Sequence, residues 1–483
     1  MASLAAQRAL RPAARGRPAL LFLELLSGEA LFALFIALLL PIGFTLVGLS
    51  ALNRTLYPLL ACLAAGWLHH KRSPWYLGLC IWLFAASPLI RRLTDYDLGY
   101  EQTSSVLLAA YLACLWGAAT GLPYVLRPGA RYAGAFLLIF ACIAYGVLVA
   151  VFNDRLVASL VEALKWLVGP FLALHIIADP ARRSEYRRVV VLAFVAGGLA
   201  MALYGIHQFV SPTAWDLEWV SNVRQDGMTS IGNPEPYGIR VFSTMHSAGS
   251  LGAFLMASML FALALPATVA VPSLLPIMLA IGLCQYRSIW GGTVLAILCV
   301  AMIGPARERS RIVLAALGVI FSLGMLSMVP EVEYTLGERL RSLTELRADA
   351  SGEDRLQQYV QVLEHNEDLL AGQGLGTGAG SLIGQQAGGP GYIDGGLLMS
   401  YVALGFVAAS LYFVALLTTV GRVLALAGRL PGEGFLYAAI VVGWIIQLPL
   451  SAVHTSETGI PGWLAIGLAL AGGRVIAEQG GQR

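Results

Sequence analysis

The chain has 483 residues, of which 58% are hydrophobic and only 12% are charged, and its mean hydropathy is +0.73. A soluble domain carries about 25% charged residues, and a soluble chain of this composition would expose large apolar patches and aggregate. The composition therefore predicts a polytopic integral membrane protein. The net charge of +3 is small, and the chain has no basic stripe with interleaved aromatic residues that would indicate nucleic-acid binding.

Apolar segments recur along the whole chain at close to the ~20 residues that cross a hydrocarbon core. The fourteen candidate spans are 29–48, 55–69, 74–90, 104–124, 132–152, 157–177, 188–210, 244–264, 267–284, 288–304, 311–329, 394–420, 434–452 and 460–477. They predict an all-α bundle of about 12–14 transmembrane helices, where the lower number allows two re-entrant or interfacial segments. Four arginines precede the first span without a following cleavage site, which indicates an uncleaved first helix.

The basic residues are unevenly distributed between alternate connections. With the N-terminus in the cytoplasm, most of the 31 Lys and Arg residues fall on the cytoplasmic side, as the positive-inside rule requires. Both termini are then cytoplasmic, and the long loops 211–243 and 330–393 lie outside. The second loop has leucines at helical spacing, so we expect helices lying over the outer membrane face. Its Gly-rich part, 372–391, is predicted to be a flexible loop and a candidate mobile gate.

This topology divides the chain into five parts. They are N-terminal transmembrane helices (1–210), a first external loop (211–243), core transmembrane helices (244–329), a large external loop (330–393) and C-terminal transmembrane helices (394–483). No internal repeat is visible, so the sequence gives no hint of the inverted symmetry of many secondary transporters.

Four charged residues are predicted at the outer membrane boundary: Arg240, Arg287, Arg355 and Asp394. Arginine at such a boundary suits phosphate binding because its planar fork offers several donors, although a snorkelling arginine is the simpler interpretation. Arg240 and Arg287 favour the phosphate interpretation, since they lie on the side where arginine is depleted. Asp394 opens a span among glycines, so it is equally a helix N-cap or a base that activates a sugar hydroxyl.

Other polar residues have simpler explanations. Glu162 and Lys165 are three positions apart in one span, which favours a structural ion pair over an ion pathway. His454 is a further candidate for the site, but capping and solvent exposure are the simpler expectation for it. The six cysteines lie in or beside apolar runs and read as packing residues. No metal-ligand spacing and no nucleotide-binding motif is present, so no metal and no cofactor is expected.

The order of the motifs in residues 235–420 resembles the superfamily of O-antigen ligases and Wzy-type polysaccharide polymerases. The family pattern runs R-x-x-G-T-F near an N or H, then S-R-G, R-x-x-x-W, G-x-G, and H-N or D-N before a span. The matching segments here are Arg240-Val241-Phe242-Ser243 with His246, Tyr286-Arg287-Ser288, Asp354-Arg355, Gly372-Gln373-Gly374-Leu375-Gly376, and Asp394 before Gly405.

Two departures from the pattern bear on the activity. The ligases carry His at the position of Asp394, whereas exopolysaccharide polymerases more often carry Asp, so the resemblance favours a polymerase. Arg287 also lacks the Gly that follows it in the family pattern.

The resemblance implies a GT-C-like glycosyltransferase of the bacterial inner membrane, with its active site on the periplasmic side. Its donor would be an undecaprenyl-pyrophosphate-linked glycan, and its acceptor would be a second glycan. The protein would lie in the lipid bilayer, and a chain-length regulator is a candidate further partner. Arg240, Arg287 and Arg355 would bind the pyrophosphate and Asp394 would act as the catalytic base. His246, Tyr286 and His454 are further candidates for the site. The reaction would be inverting and independent of metal.

Two alternative functions stay open. A ligase that transfers the glycan to lipid A core or another acceptor shares the donor chemistry. A lipid-linked glycan flippase would instead need polar residues near the membrane midplane, where only Glu162 and Lys165 are candidates.

Overall fold

A computed structural model describes residues 23–326, 328, 360, 370–377, 393 and 395–480. In these ranges the ordered elements are helices, and the only strand-like feature is an isolated bridge between Gly232 and Ile239. The all-α prediction is therefore confirmed for the described residues.

Fifteen helices follow one another in the described ranges. They are α1 (Gly28–Leu46), α2 (Ala51–His70), α3 (Trp75–Leu98), α4 (Ser105–Val125), α5 (Ala133–Phe152), α6 (Leu156–Ala178), α7 (Arg183–Val210), α8 (Ala214–Gln225), α9 (Ala248–Ala262), α10 (Ala267–Leu283), α11 (Arg287–Ile303), α12 (Ala306–Leu326), α13 (Gly396–Leu426), α14 (Gly434–Ile445) and α15 (Ser456–Gly480).

Each of the fourteen predicted spans coincides with one of these helices, and α8 is an additional helix inside the first long loop. Eight of the described helices are long and apolar enough to cross a membrane: α1, α3, α4, α5, α6, α7, α13 and α15. Four more, α9, α10, α11 and α14, are apolar but have only 10–17 residues. The architecture is that of a multi-pass membrane helix bundle.

Glycines permit close contact between the central helices. A Cβ at Gly169 of α6 would lie 2.1 Å from the indole of Trp463 in α15, and one at Gly462 would lie 2.3 Å from the indole of Trp444 in α14. Helices in lipid associate by van der Waals packing rather than by a hydrophobic driving force, so small residues at the interface bring helix surfaces together. Helix α15 consequently packs along α6 and against α14.

Ion pairs and hydrogen bonds join connections at the same end of the bundle. At one end, Arg54 Nη2 lies 2.9 Å from Asp95 Oδ1, so the start of α2 meets the end of α3. At the other end, Arg183 at the start of α7 pairs at 3.0 Å with Glu433, which precedes α14. These contacts agree with the alternating up-and-down order. We call the two ends the outer and inner ends, following the sequence-based orientation, which stays a prediction.

The beginning of the Gly-rich segment differs from the expectation of a flexible loop. Over residues 370–377 the backbone is inserted between α5 and α13: Leu375 N donates to Gly146 O at 2.9 Å, and Gly374 N donates to Ala403 O at 2.9 Å. Leu375 is buried, and a Cβ at Gly374 would lie 2.4 Å from the backbone of Ala150. The glycines here therefore serve close packing. Residues 378–391 and most of the rest of the large loop lie outside the described residues.

Candidate functional site

The segment that contains Arg240 crosses the outer end of the bundle. Arg240 N donates to Ile231 O at 3.0 Å, and Val241 N donates to Leu283 O at 3.2 Å. The second bond places the Arg240 segment against the end of α10, four residues before Arg287. Arg240 itself is half-buried, and its side chain makes no hydrogen bond or ion pair to any other described residue.

Arg92, near the outer end of α3, holds the next part of this segment. Its side chain is 1% exposed; Nη1 donates to Met245 O at 2.7 Å, and Nη2 donates to Ser243 O. Nε lies 3.5 Å from Asp216 Oδ1, and the guanidinium stacks over the ring of Phe242 at 4.7 Å. The buried guanidinium of Arg92 therefore offsets the charge of Asp216 and holds the backbone carbonyls of Ser243 and Met245.

Gln208 in α7 fixes the same segment from the opposite side. Its Oε1 accepts hydrogen bonds from Phe242 N at 3.1 Å and Ser243 N at 2.8 Å. The Ser243 hydroxyl also donates to Met201 O at 2.6 Å. Hydrogen bonds to Phe242, Ser243 and Met245 therefore hold the segment between Arg240 and His246 in place.

Tyr286 and Arg287 open helix α11 beside the start of α9. Tyr286 is the N-cap residue, and Arg287 is the first residue of the helix. The phenol ring of Tyr286 lies over Gly249, at 3.4 Å from the position that a Cβ would take there. Both Tyr286 and Arg287 are half-buried. The residues predicted from the first two motifs thus lie on adjoining segments.

His246 joins a buried polar cluster that the sequence did not reveal. Its Nε2 lies 3.2 Å from Glu457 Oε1, and Ser250 Oγ donates to the same oxygen at 2.8 Å. Tyr111 OH lies 3.4 Å from the other oxygen, Oε2, which also accepts from Ser456 Oγ. Helices α4, α9 and α15 therefore meet at one carboxylate.

Glu162 and Lys165 form the ion pair predicted from their spacing. Lys165 Nζ lies 2.9 Å from Glu162 Oε2, and Trp166 Nε1 donates to Glu162 Oε1 at 3.2 Å. All three residues belong to α6, so the pair is intrahelical. The predicted ion pair is therefore present, and its structural role stays a prediction.

His454 is not solvent-exposed, and the expectation of a solvated cap is wrong. Its side chain is 0% exposed and faces the rings of Trp166 at 4.8 Å and Tyr412 at 5.5 Å. Nε2 lies 3.2 Å from Ser400 Oγ. Burial disfavours the charged imidazolium and lowers the pKa of His454 to about 3. His454 lies only three positions before Glu457, but its ring packs against Trp166 and Tyr412.

Five non-glycine residues with positive φ lie at the outer end of the described bundle: Asp154, Tyr237, Ser243, Gln285 and Ser456. Ser243 (φ 51°), Gln285 (φ 50°) and Ser456 (φ 56°) lie one to three residues before His246, Tyr286 and Glu457, respectively. Such conformations cost about 1–3 kcal/mol each. Because Arg72 and Tyr132 at the inner end also have positive φ, these conformations do not by themselves distinguish the outer end as functional.

Three helices begin at the cluster with their N-termini toward it. They are α9, after His246; α11, at Arg287; and α15, at Ser456. A helix N-terminus carries roughly half a positive charge on its free N–H groups. Glu457 in the first turn of α15 already offsets the charge of that terminus, so the start of α11, with the guanidinium groups of Arg240 and Arg287, is the region favourable for an anion.

The structure thus brings together four of the predicted site residues, Arg240, Arg287, Tyr286 and His246, and separates His454 from them. Arg355 and Asp394 lie outside the described residues. Glu457 and Arg92 were not predicted from the sequence, because no motif includes either residue. A glutamate in the first turn of an apolar span was the available signal for Glu457.

The described residues contain no group of three or more His, Cys, Asp or Glu side chains that could hold a metal ion. The chain matches no protein-family model, and no curated protein matches it. The resemblance to the ligase and polymerase superfamily therefore depends on the motifs themselves.

Proposed function

We propose that this protein is a membrane glycosyltransferase that joins lipid-pyrophosphate-linked oligosaccharide repeat units into a polymer at the outer membrane face. The observation that supports this most is the joint position of Arg240 and Arg287. They lie on segments linked by the bond from Val241 to Leu283, at the point where α9, α11 and α15 begin. A pyrophosphate placed there would meet two planar donor groups and the N-terminus of α11.

The proposed chemistry needs charge stabilisation on the leaving group more than it needs a cofactor. The sugar is already activated by its pyrophosphate, so the step is attack by an acceptor hydroxyl on the anomeric carbon with departure of the lipid pyrophosphate. Arg240 and Arg287 would stabilise the negative charge that grows on that leaving group. The resemblance to the ligase and polymerase superfamily implies that Asp394 is the base. That role stays a prediction, as does the role of Arg355 in binding phosphate.

The pairing of the charged side chains in α6 favours an enzyme over a flippase. Ile177, whose carbonyl accepts from Arg474 at 2.5 Å, lies near the inner end of α6. Lys165 and Glu162 lie about 18 and 22 Å from Ile177 along that helix at ~1.5 Å per residue, which is close to the middle of a core ~30 Å thick. They are also paired with each other, as expected of a structural pair rather than of a substrate or proton pathway.

Polymerase and ligase share the proposed donor site, and the acceptor separates them. Asp rather than His at position 394 favours a polymerase within the resemblance. GT-C-like architecture, an inner-membrane location and a periplasmic active site belong to the same proposal.

The test is complementation of a deletion strain with Arg240→Ala and Arg287→Ala, with protein level in the membrane measured alongside. Arg155→Ala is a matched control, because it also removes an arginine at the outer end. Arg155 lies at the start of α6, which packs on α4, α5 and α15, and none of these helices carries Arg240 or Arg287. We expect both site variants to lose polymer and to accumulate single lipid-linked repeat units, while the control makes normal polymer.

The other outcomes assign the function differently. Normal polymer from both site variants at wild-type protein levels would refute the proposed site. Long chains that accumulate on the lipid carrier would indicate a ligase. Repeat units confined to the inner leaflet would indicate a flippase.

A further inference from the structure

The surroundings of Glu457 suit it to orient the groups that donate hydrogen bonds to it. Its side chain is 10% exposed, and its two carboxylate oxygens lie within hydrogen-bond distance of His246, Ser250, Tyr111 and Ser456. A carboxylate with this many donors is held in a single orientation. It is therefore unsuited to attack a substrate or to take up a proton itself.

His246 is held by this carboxylate through one nitrogen and leaves the other nitrogen without a partner. In the neutral tautomer whose Nε2–H donates to Glu457, Nδ1 would carry the free lone pair. Nδ1 is shielded from solvent and has no hydrogen-bond partner among the described residues. A shielded polar atom of this kind is destabilising unless a ligand or water supplies the missing bond.

The imidazole is well fixed. Its side chain is 33% exposed, but Nδ1 itself is shielded, so the acceptor hydroxyl would have to displace the atoms that cover Nδ1. The preceding residue is anchored by Arg92, which donates to Met245 O at 2.7 Å, and the following residue, Ser247, caps α9. The segment of His246 adjoins the segment of Tyr286 and Arg287, because the Tyr286 ring lies over Gly249 in the first turn of α9.

We propose that His246, oriented by Glu457, accepts the proton of the acceptor hydroxyl during glycan transfer. The inference depends on the function proposed above. In the step, the acceptor oxygen bonds to the anomeric carbon of the donor, and its proton passes to His246 Nδ1. The bond from that carbon to the pyrophosphate oxygen breaks, and the electron pair leaves with the lipid pyrophosphate beside Arg240 and Arg287. Glu457, as a positioning residue, stabilises the imidazolium that forms.

Glu457 belongs to a wider set of titratable groups that any pH measurement will include. Tyr111 contacts it from α4, Lys165 of α6 interacts with it electrostatically, and Glu162 of α6 interacts electrostatically with Tyr111. Substitution of His246 alone leaves these groups in place, which is why the pH profile of a His246 variant isolates the contribution of the imidazole.

The experiment measures initial polymerisation rates of the full chain in proteoliposomes between about pH 5.5 and 8.5, the range in which histidine titrates. The donor and acceptor are lipid-linked repeat units extracted from a strain that lacks this protein. Binding of undecaprenyl pyrophosphate is measured on the same preparations. The variants are His246→Gln, Glu457→Gln, Asp394→Asn and Arg287→Ala. His207→Gln is the matched control, since His207 is an exposed histidine at the outer end of α7.

We expect His246→Gln to lower the rate about 10²- to 10⁴-fold, the usual contribution of a general base, and to abolish the fall of the wild-type rate toward acid pH. Its binding of undecaprenyl pyrophosphate should stay close to that of the wild type, because glutamine can still donate to Glu457. Glu457→Gln should lower the rate less and displace the acid limb. Asp394→Asn should retain the acid limb, and His207→Gln should match the wild type.

The proposed proton acceptor and the proposed function fail in different ways. If Arg287→Ala is inactive while His246→Gln keeps its rate and its acid limb, His246 is not the proton acceptor and the function stands. If the acid limb disappears in Asp394→Asn instead, the base is Asp394. If the wild type neither polymerises the repeat units nor binds undecaprenyl pyrophosphate, the proposed function is wrong and the role of His246 falls with it.

Discussion

Replacing Arg92 with methionine should destabilise the protein strongly, although Arg92 is absent from every motif. Methionine preserves much of the side-chain length and removes the charge. Asp216 would then be buried without its cation, and the carbonyls of Ser243 and Met245 would lose their donors. Breaking a buried pair of this kind costs about 3–5 kcal/mol, because one charge is left uncompensated.

The loss should be reversed in part by removing the second charge as well. Asp216→Leu alone should also be destabilising, since Arg92 would then be the unpaired charge. The double variant Arg92→Met/Asp216→Leu should recover most of the stability, because replacing both members of a buried pair by apolar groups is often neutral.

The assay is thermal unfolding in detergent for the two single variants and the double variant, analysed as a double-mutant cycle. Glu185→Gln is a suitable control, since it breaks an exposed pair with Arg182, for which the expected change is below ~1 kcal/mol. Polymer formation is measured alongside, because the segment from Arg240 to His246 should lose its anchor in Arg92→Met. A wild-type unfolding midpoint for Arg92→Met, or losses that simply add in the double variant, would refute this account of the pair.

Three further predictions concern pH, backbone and phosphate geometry. The depressed pKa of His454, about 3 against an ordinary 6.5, means that the unfolded chain takes up its proton first as pH falls. The stability due to neutral His454 is therefore present above pH ~6.5 and declines as pH falls toward ~3, by about 2 kcal/mol between pH 7 and 5. His454→Phe should flatten this part of the plot of unfolding free energy against pH. An unchanged slope in this variant would contradict the assignment to His454. Gly405, with φ 72°, allows α13 to approach Leu370, whose carbonyl oxygen would lie 2.4 Å from an added Cβ. Gly405→Ala should cost at least ~1–2 kcal/mol in thermal unfolding, whereas Gly421→Ala in the same helix, where a Cβ meets nothing within 4 Å, should be neutral or stabilising; equal effects would count against the close packing. Arg287→Lys should keep the charge but lose the two-pronged geometry, so its polymerisation rate should fall between those of wild type and Arg287→Ala, and a full wild-type rate would argue against bidentate phosphate binding.

The location of the helices could be predicted from the sequence because it follows from a local requirement. A segment in lipid must satisfy its own backbone hydrogen bonds and must be apolar over ~20 residues. Each span can therefore be recognised from consecutive residues of the chain. The pair of Glu162 and Lys165 was predictable for the same reason, since three positions along one helix determine their proximity.

The candidate site could be predicted only where a short motif carried its residues. Arg240, His246, Tyr286 and Arg287 were identified in this way, and the structure places their segments together. The motif order does not indicate which distant side chains would complete the site.

Tertiary structure alone decided the partners that join distant parts of the chain. Arg92 meets Asp216, and His246 meets Glu457, across separations of 124 and 211 residues in the numbering. The burial of His454 and the insertion of Gly374 against Ala150 likewise depend on how the helices pack. The physical reason is that apolar composition is sufficient to place a segment in lipid, where any apolar helix face is tolerated. Which faces meet depends on small residues and buried polar partners contributed by separate helices, and these become neighbours only in the folded bundle.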